Sequence, residues 1–397
     1  MKILFLTLAR IDSIEVQGIY PDLLRKFRDS GHEVTIVSPA ERKYGIKTNY
    51  IQEGGVRMLN VWTTNIQKTN IIEKGITTIF LEFYYYNAIK KYIHYKDIDL
   101  ILYSTPPITL TYLIKRIKKA SNAKTYLLLK DIFPQNAVDL NLLKFGGILY
   151  KYFRKKEKIL YTISDHIGCM SPANLNYVLD KNPEIDRNKL EINPNSIDVK
   201  EHIFKFDSDL YNKYNIPQDK VIFIFGGNLG IPQGIDYLKA NIEYCKSIED
   251  AFFLIIGDGT EYNKLRNWIR TSEIPNVLLI KELPKSEYDD IIKLSHVGLI
   301  FLNPLFTIPN FPSRILAYMQ NRLPVICATD LVTDIGEIAV KNNFGYECLT
   351  SDFESFFDCV VKLLNSDLRV YMGNNGFEFL KYEYTVEHSY NKIVEKF

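Results

Sequence analysis

Three short segments in the second half of the 397-residue chain carry residue types suited to holding phosphate. The first, Phe225-Gly226-Gly227-Asn228-Leu229-Gly230-Ile231-Pro232-Gln233-Gly234, follows an apolar run and opens a helical one. Glycines at such a turn let backbone N–H groups approach an anion, and a helix start adds favourable partial charge. A tight strand-to-helix turn would also use glycine, but Asn228 and Gln233 beside Gly227 and Gly230 favour ligand binding. The second, Gly257-Asp258-Gly259-Thr260-Glu261, repeats the device one strand later; alone, Gly-Asp-Gly is more often a turn than a site. The third is Asn310-Phe311-Pro312-Ser313-Arg314-Ile315-Leu316-Ala317-Tyr318-Met319. Pro312 in a first helical turn places free N–H groups, the Ser313 hydroxyl and the Arg314 guanidinium at one helix start. Together these groups could receive a diphosphate; a plain helix cap with a surface arginine is the alternative.

The elements that must position these loops are read from apolar runs. Ile3–Leu8, Val34–Val37, Leu100–Tyr103, Thr125–Leu129 and His166–Met170 read as buried strands in the first half. Val221–Phe225, Ala251–Ile256, Val277–Ile280, Val297–Leu302 and Pro324–Ala328 repeat the pattern in the second. Helical spacing appears after Gly18 (Ile19, Leu23, Leu24, Phe27), at about 147–163, and throughout about 365–397. Between 180 and 217 the pattern lapses into Asp, Asn, Lys and Pro, which marks a domain connection. Short apolar strands alternating with helices predict an α/β fold of two Rossmann-like, doubly wound domains, each a parallel sheet covered on both faces. We place them at 1–199 and 200–380, with the closing helix at about 381–397 returning to the first. Ligands of such sheets bind outside the carboxyl ends of the strands, so the cleft between the domains is the expected site.

The net charge of +2 hides an asymmetry: residues 1–200 carry 30 Lys and Arg against 20 Asp and Glu. A basic first half points to an anionic partner there, such as a membrane surface or a lipid diphosphate. Five scattered cysteines without CxxC spacing argue against a disulfide framework or zinc site and for a reducing compartment. No apolar run approaches the roughly 18 residues that span a bilayer. The histidines His32, His94 and His166 stand in no ligand-spaced pair, and no metal site is expected.

In their order and spacing, the loops at 226–234 and 257–261 and the Pro312-Ser313-Arg314 helix followed by Pro324-Val325 resemble the C-terminal domain of family 4 glycosyltransferases. Ser104-Thr105-Pro106-Pro107, Leu129-Lys130-Asp131-Ile132-Phe133-Pro134-Gln135 and Asn195-Ser196-Ile197-Asp198 extend the likeness over the first half. Asp-Ile-Phe-Pro-Gln and Gly-Asn-Leu-Gly-Ile-Pro-Gln-Gly look most like the O-antigen and capsule branch of N-acetyl-L-fucosaminyltransferase-like proteins. The resemblance implies the GT-B fold and a UDP-sugar donor, with a GDP-sugar as the alternative. It further implies retention of anomeric configuration and no cofactor beyond the donor substrate. The departing diphosphate would be stabilised by Asn228, Gly230, Gln233, Ser313 and Arg314, since donors aimed at the growing charge favour the transition state.

Two departures from that family stand out. Many relatives carry Lys where Gln233 stands, so the charge there is lost and Arg314 must compensate. The ribose-binding Glu of the family falls at Ala317, and Pro309 stands eight residues earlier. Either Tyr318, Glu261 or backbone groups would then hold the ribose, or donor binding is weakened. On the acceptor side, Asp131 ends a strand with Lys130 beside it, placed to orient or deprotonate a hydroxyl, or else to serve as a loop carboxylate. Gly18, in the first strand-to-helix loop, would let a diphosphate approach the backbone.

Aromatic and basic residues mix at Phe80–Tyr92 and Lys144–Lys156, a composition suited to an anionic bilayer surface or, equally, to a core with a solvated basic face. The expected partners are a nucleotide-sugar donor, a polyprenyl-diphosphate-linked saccharide acceptor and the inner-membrane surface. Nucleic acid is not among them, because no nucleic-acid module accompanies the basic residues. The expected location is cytoplasmic, peripheral to the cytoplasmic membrane. The reading is a retaining glycosyltransferase of surface-polysaccharide synthesis. A UDP-sugar epimerase-like enzyme and a non-catalytic binding subunit are the alternatives, separable by UDP release and by UDP or GDP titration.

Overall fold

The computed structural model describes residues 1–66, 71–201 and 208–397. Its chain divides into two units, Met1–Asp198 with Tyr384–Phe397, and Val199–Glu383.

The strands of the first unit are β1 (Lys2–Leu6), β2 (Glu33–Glu41), β3 (Asn49–Glu53), β4 (Val56–Thr63), β5 (Leu100–Ser104), β6 (Lys124–Leu129), β7 (His166–Cys169) and β8 (Leu190–Ile192). They form one sheet in the order β3-β4-β2-β1-β5-β6-β7-β8. Every pairing is parallel except β3 with β4. Alternate residues of the apolar runs go to opposite faces, as the two-residue period of a strand requires. Leu4, Leu6, Ile101, Tyr103, Leu127 and Leu129 meet the helices Ile71–Tyr92, Thr111–Ser121 and Ile148–Ile163 on one face. Ile3, Phe5, Leu100, Leu102 and Leu128 meet the helix Ile19–Asp29 on the other. The closing helix Val386–Val394 completes that second layer. Its Ile393 is fully buried, and its Tyr390 ring lies 4.9 Å from Phe27 and 2.9 Å by hydroxyl from His32.

The second unit holds β9 (Val221–Asn228), β10 (Ala251–Asp258), β11 (Val277–Lys281), β12 (Val297–Phe301), β13 (Val325–Thr329) and β14 (Gly345–Leu349). Their order is β11-β10-β9-β12-β13-β14, and every pairing is parallel. Phe223, Phe225, Phe253, Ile255 and Phe301 form a core with the helices on one side. Burying a side chain of that size contributes about 1.5–3 kcal/mol, so these runs commit the segment to the interior.

Candidate functional site

In the second unit β9 lies between β10 and β12, and the strand order runs outward in both directions from there. The carboxyl ends of β9 and β12 are therefore the switch point of this sheet, where ligands of such folds bind in a crevice. The loops there are the segments 226–234 and 302–313.

The first loop is closed by its own side chains. Gln233 Oε1 accepts from the Gly230 N–H at 3.2 Å and from Asn228 Nδ2 at 3.0 Å. Gln233 N–H donates back to the Gly230 carbonyl at 3.1 Å. What Gln233 has left for a ligand is its Nε2 amide. Asn303, beyond β12, pins the second segment to the first: its N–H donates to the Pro232 carbonyl at 2.9 Å and its Nδ2 to Ile231 at 3.1 Å.

The 257–261 loop is stitched on from the other side. Leu229 N–H donates to the Asp258 carbonyl at 3.0 Å, and Glu261 N–H to Leu229 at 2.9 Å. That closeness requires glycine at 257, where a Cβ would stand 1.9 Å from the Gly227 carbonyl oxygen. A Cβ at Gly259 would meet the Leu229 carbonyl at 2.3 Å. Packing of β9 against β10 thus accounts for both glycines. Gly227 is exposed in the left-handed region with φ 113°, open to whatever enters the crevice.

Arg314 begins the helix Arg314–Gln320, half-buried, with its guanidinium carbon 4.3 Å from the Phe225 ring centroid. Its nearer nitrogen lies 3.8 Å from where a Gly227 Cβ would be. The ring face attracts the cation. One nitrogen, Nη1, is buried with no hydrogen-bond partner, a position where a ligand oxygen or an ordered water belongs. Ser313 beside it is exposed, and its hydroxyl makes no cap to its own helix.

Tyr318 does not line the crevice. It is fully buried, with its hydroxyl 3.2 Å from the Ile224 carbonyl, 3.4 Å from Leu299, and accepting the Gly226 N–H at 3.3 Å. The phenol ties β9 to β12, so the expectation of a ribose contact is corrected. Tyr288 packs its hydroxyl over Gly226, where a Cβ would clash at 1.8 Å. Burial raises the pKa of both phenols, which keeps them neutral. Ala317 offers no polar side chain, and Glu261 pairs with Lys264 at 3.4 Å.

The first unit has its own switch point, between β1 and β5. Thr7, Ser104 and Thr105 stand at those strand ends. Ser104 Oγ donates to Thr7 Oγ1 at 3.2 Å, and Thr105 Oγ1 accepts the N–H groups of Lys130 and Asp131 at 3.0 and 3.2 Å. Asp131 is half-buried, and Asn136 Nδ2 lies 2.9 and 3.0 Å from its two oxygens. Burial, with a smaller contribution from the Asp131 charge, pushes Tyr20 up to about 12. Lys130 is pushed by burial down to about 7. Gly18 has extended backbone, and its N–H is taken by Asp22 Oδ1 at 2.9 Å, so it has no free N–H to offer a diphosphate. A Cβ there would meet only Pro21, at 3.5 Å at the nearest.

The structure therefore gathers Gly227, Asn228, Gly230, Gln233, Ser313 and Arg314 around one crevice of the second unit. It places Gly18 and Asp131 in the first unit and Tyr318 inside a core. Sequence reading missed Phe225 as the platform for Arg314, Asn303 as the clasp, and Asn136 as the partner of Asp131. A residue five positions past an Asp carries no pattern of its own, which is why Asn136 gave no signal.

Residues 207–379 match the family described as Glycosyl transferases group 1. The chain is 25% identical over 287 residues to the probable glycosyltransferase WbjE of Pseudomonas aeruginosa, spanning 72% of this chain and 70% of that one. It superposes on the E. coli trehalose-6-phosphate protein bound with UDP-2-fluoro glucose with a TM-score of 0.76 and 10% identity, covering 99% of this chain and 98% of that one. The Anabaena protein HepE in complex with UDP and glucose gives a TM-score of 0.70 and 13% identity, covering 100% and 99%. The two α/β units thus have the fold of GT-B glycosyltransferases. Within it, the match to the group 1 glycosyl transferases lies in the second unit.

Proposed function

We propose that this protein is a retaining, metal-independent glycosyltransferase. It moves a sugar, an N-acetylated hexosamine or deoxyhexosamine, from a UDP-sugar to a lipid-diphosphate-linked glycan in bacterial surface-polysaccharide synthesis. The observation that carries the reading is Arg314. A cation fixed on Phe225, with an unpartnered buried nitrogen, borders Gly227 at the switch point of a group 1 glycosyltransferase domain. The UDP complexes of two proteins with this fold support UDP as the nucleotide.

As the glycosidic bond to the nucleotide breaks, negative charge grows on the β-phosphate. Arg314, Asn228 and the Gln233 amide are donors already in place for it, so they favour the transition state without reorganising. Ser313 adds a hydroxyl. Asp131, its carboxylate steadied by Asn136, orients or deprotonates the acceptor hydroxyl.

The lipid-linked acceptor is supported by the surface of the first unit. Glu82 accepts the N–H groups of Tyr112 and Leu113 and the Lys156 ammonium, drawing three helices together. On and beside those helices Phe83, Tyr112, Phe145 and Ile148 are exposed, the last at 88%, and so are Lys144, Lys151 and Lys155. Rings and lysines so mixed suit the headgroup depth of an anionic bilayer. No helix among the described residues is long and apolar enough to cross a membrane. The test is incubation with UDP-sugars and a polyprenyl-diphosphate saccharide, reading UDP release and the extended lipid by mass. Extension with retained configuration is the expected result. Interconversion of UDP-sugars without acceptor, or UDP binding without transfer to any acceptor, would overturn it.

A further inference from the structure

Lys130 follows β6 at the carboxyl edge of the first unit's sheet. Its N–H is held by Thr105 Oγ1 at 3.0 Å, and its Nζ donates to the Asn193 carbonyl at 3.3 Å. Among the described residues no carboxylate pairs with this ammonium. Asp131, next in the chain, turns both oxygens toward Asn136. The side chain whose charge would bear on Lys130 is Cys169, and burial holds that thiol near 12, hence neutral. Asn193 itself carries a fully buried Oδ1 without a partner.

Lys130 is half-buried, and an ammonium partly withdrawn from water onto one neutral acceptor destabilises the fold that holds it. Its amine is accordingly pushed down to about 7. Such a charge is kept where an anion arrives to meet it, and uncompensated ionisable groups gather at functional sites for that reason. Two of its three N–H donors remain beyond the one given to Asn193.

We propose that Lys130 is an anion-binding residue of the first unit, which takes a phosphate oxygen of the acceptor's diphosphate. This rests on the reading of the acceptor as lipid-diphosphate-linked. A donor diphosphate would present the same oxyanion, so the experiment separates the two sources.

The test uses the full chain with Lys130→Met and Lys130→Arg. In steady-state transfer, K130M raises the KM for the acceptor about tenfold or more, as loss of a charge-assisted hydrogen bond does. The donor KM stays within about twofold, K130R recovers most of the loss, and the Tm of K130M equals or exceeds that of the parent. A rise in donor KM instead would overturn the acceptor assignment. Unchanged kinetics with a lowered Tm would make Lys130 structural. Independently of transfer, inorganic pyrophosphate is titrated into protein saturated with UDP. Binding weakened about tenfold in K130M supports the anion site even if no acceptor is extended, and equal binding removes it even if transfer proceeds.

Discussion

The guanidinium carbon of Arg314 lies 4.3 Å from the ring centroid of Phe225, the residue that precedes the glycine turn of β9. A strand in the core thereby holds the cation that is proposed to meet the donor. Arg314→Ala should lower kcat by roughly a hundred- to a thousandfold, the cost of losing one preorganised donor to developing charge. Arg314→Lys should recover only part, because the ammonium lacks the planar fork. Steady-state kinetics with UDP-sugar check this; a kcat within a few-fold of the parent would remove Arg314 from the chemistry.

Gly257 is fixed by contact. Its alanine variant would drive a Cβ into the Gly227 carbonyl, 1.9 Å away, and must push β9 and β10 apart. A loss of about 1–3 kcal/mol in denaturant unfolding is expected, with weakened UDP binding because Gly227 moves. An unaltered unfolding midpoint would mean the two loops do not pack so closely.

Gly18 is the opposite case. The fold leaves room for a side chain there, since the nearest neighbour of an added Cβ is Pro21 at 3.5 Å. Gly18→Ala should keep the parent Tm. If a substrate approaches this backbone, activity should fall about tenfold or more all the same. Full activity would show that nothing comes close to it.

Asp131→Asn keeps the shape of the side chain but removes the charge that Asn136 steadies from 2.9 and 3.0 Å. A fall of about 10²–10⁴ in kcat is expected, with UDP affinity unchanged. Asn136→Ala should lower kcat less and leave the variant folded. Equal rates for D131N and the parent, measured with a lipid-diphosphate acceptor, would return Asp131 to the role of a loop carboxylate.

Tyr318→Phe removes a buried hydroxyl that accepts the Gly226 N–H and sits on two strand carbonyls. Stability should drop by about 1–3 kcal/mol. UDP affinity, read by calorimetry, should stay near that of the parent; a large loss would restore Tyr318 as a nucleotide contact.

These cases show what the chain discloses before it is folded. Strands such as β1 and β9 are legible because continuous apolar runs have no other place than a sheet covered on both faces. β3 and β8 are not, since Asn49–Glu53 is mostly exposed and Leu190–Ile192 lies within the polar stretch read as a connection. The glycine loops could be found by composition, yet which glycine packs a strand and which faces a ligand depends on distances between β9 and β10. Gln233 could be named as a donor, but its Oε1 turning back to Gly230 could not. The unpartnered nitrogen of Arg314 and the unanswered charge of Lys130 exist only once the neighbours are in place. Both are absences, and a sequence does not print absences.

The donor's diphosphate is proposed to be held at the switch point of the second unit. A crystal structure of the UDP complex tests it most directly. The β-phosphate is expected within hydrogen-bonding distance of Arg314 and of the Gln233 amide nitrogen, against the Gly227–Gly230 turn. A nucleotide seated elsewhere, with Arg314 making no contact to either phosphate, would contradict it.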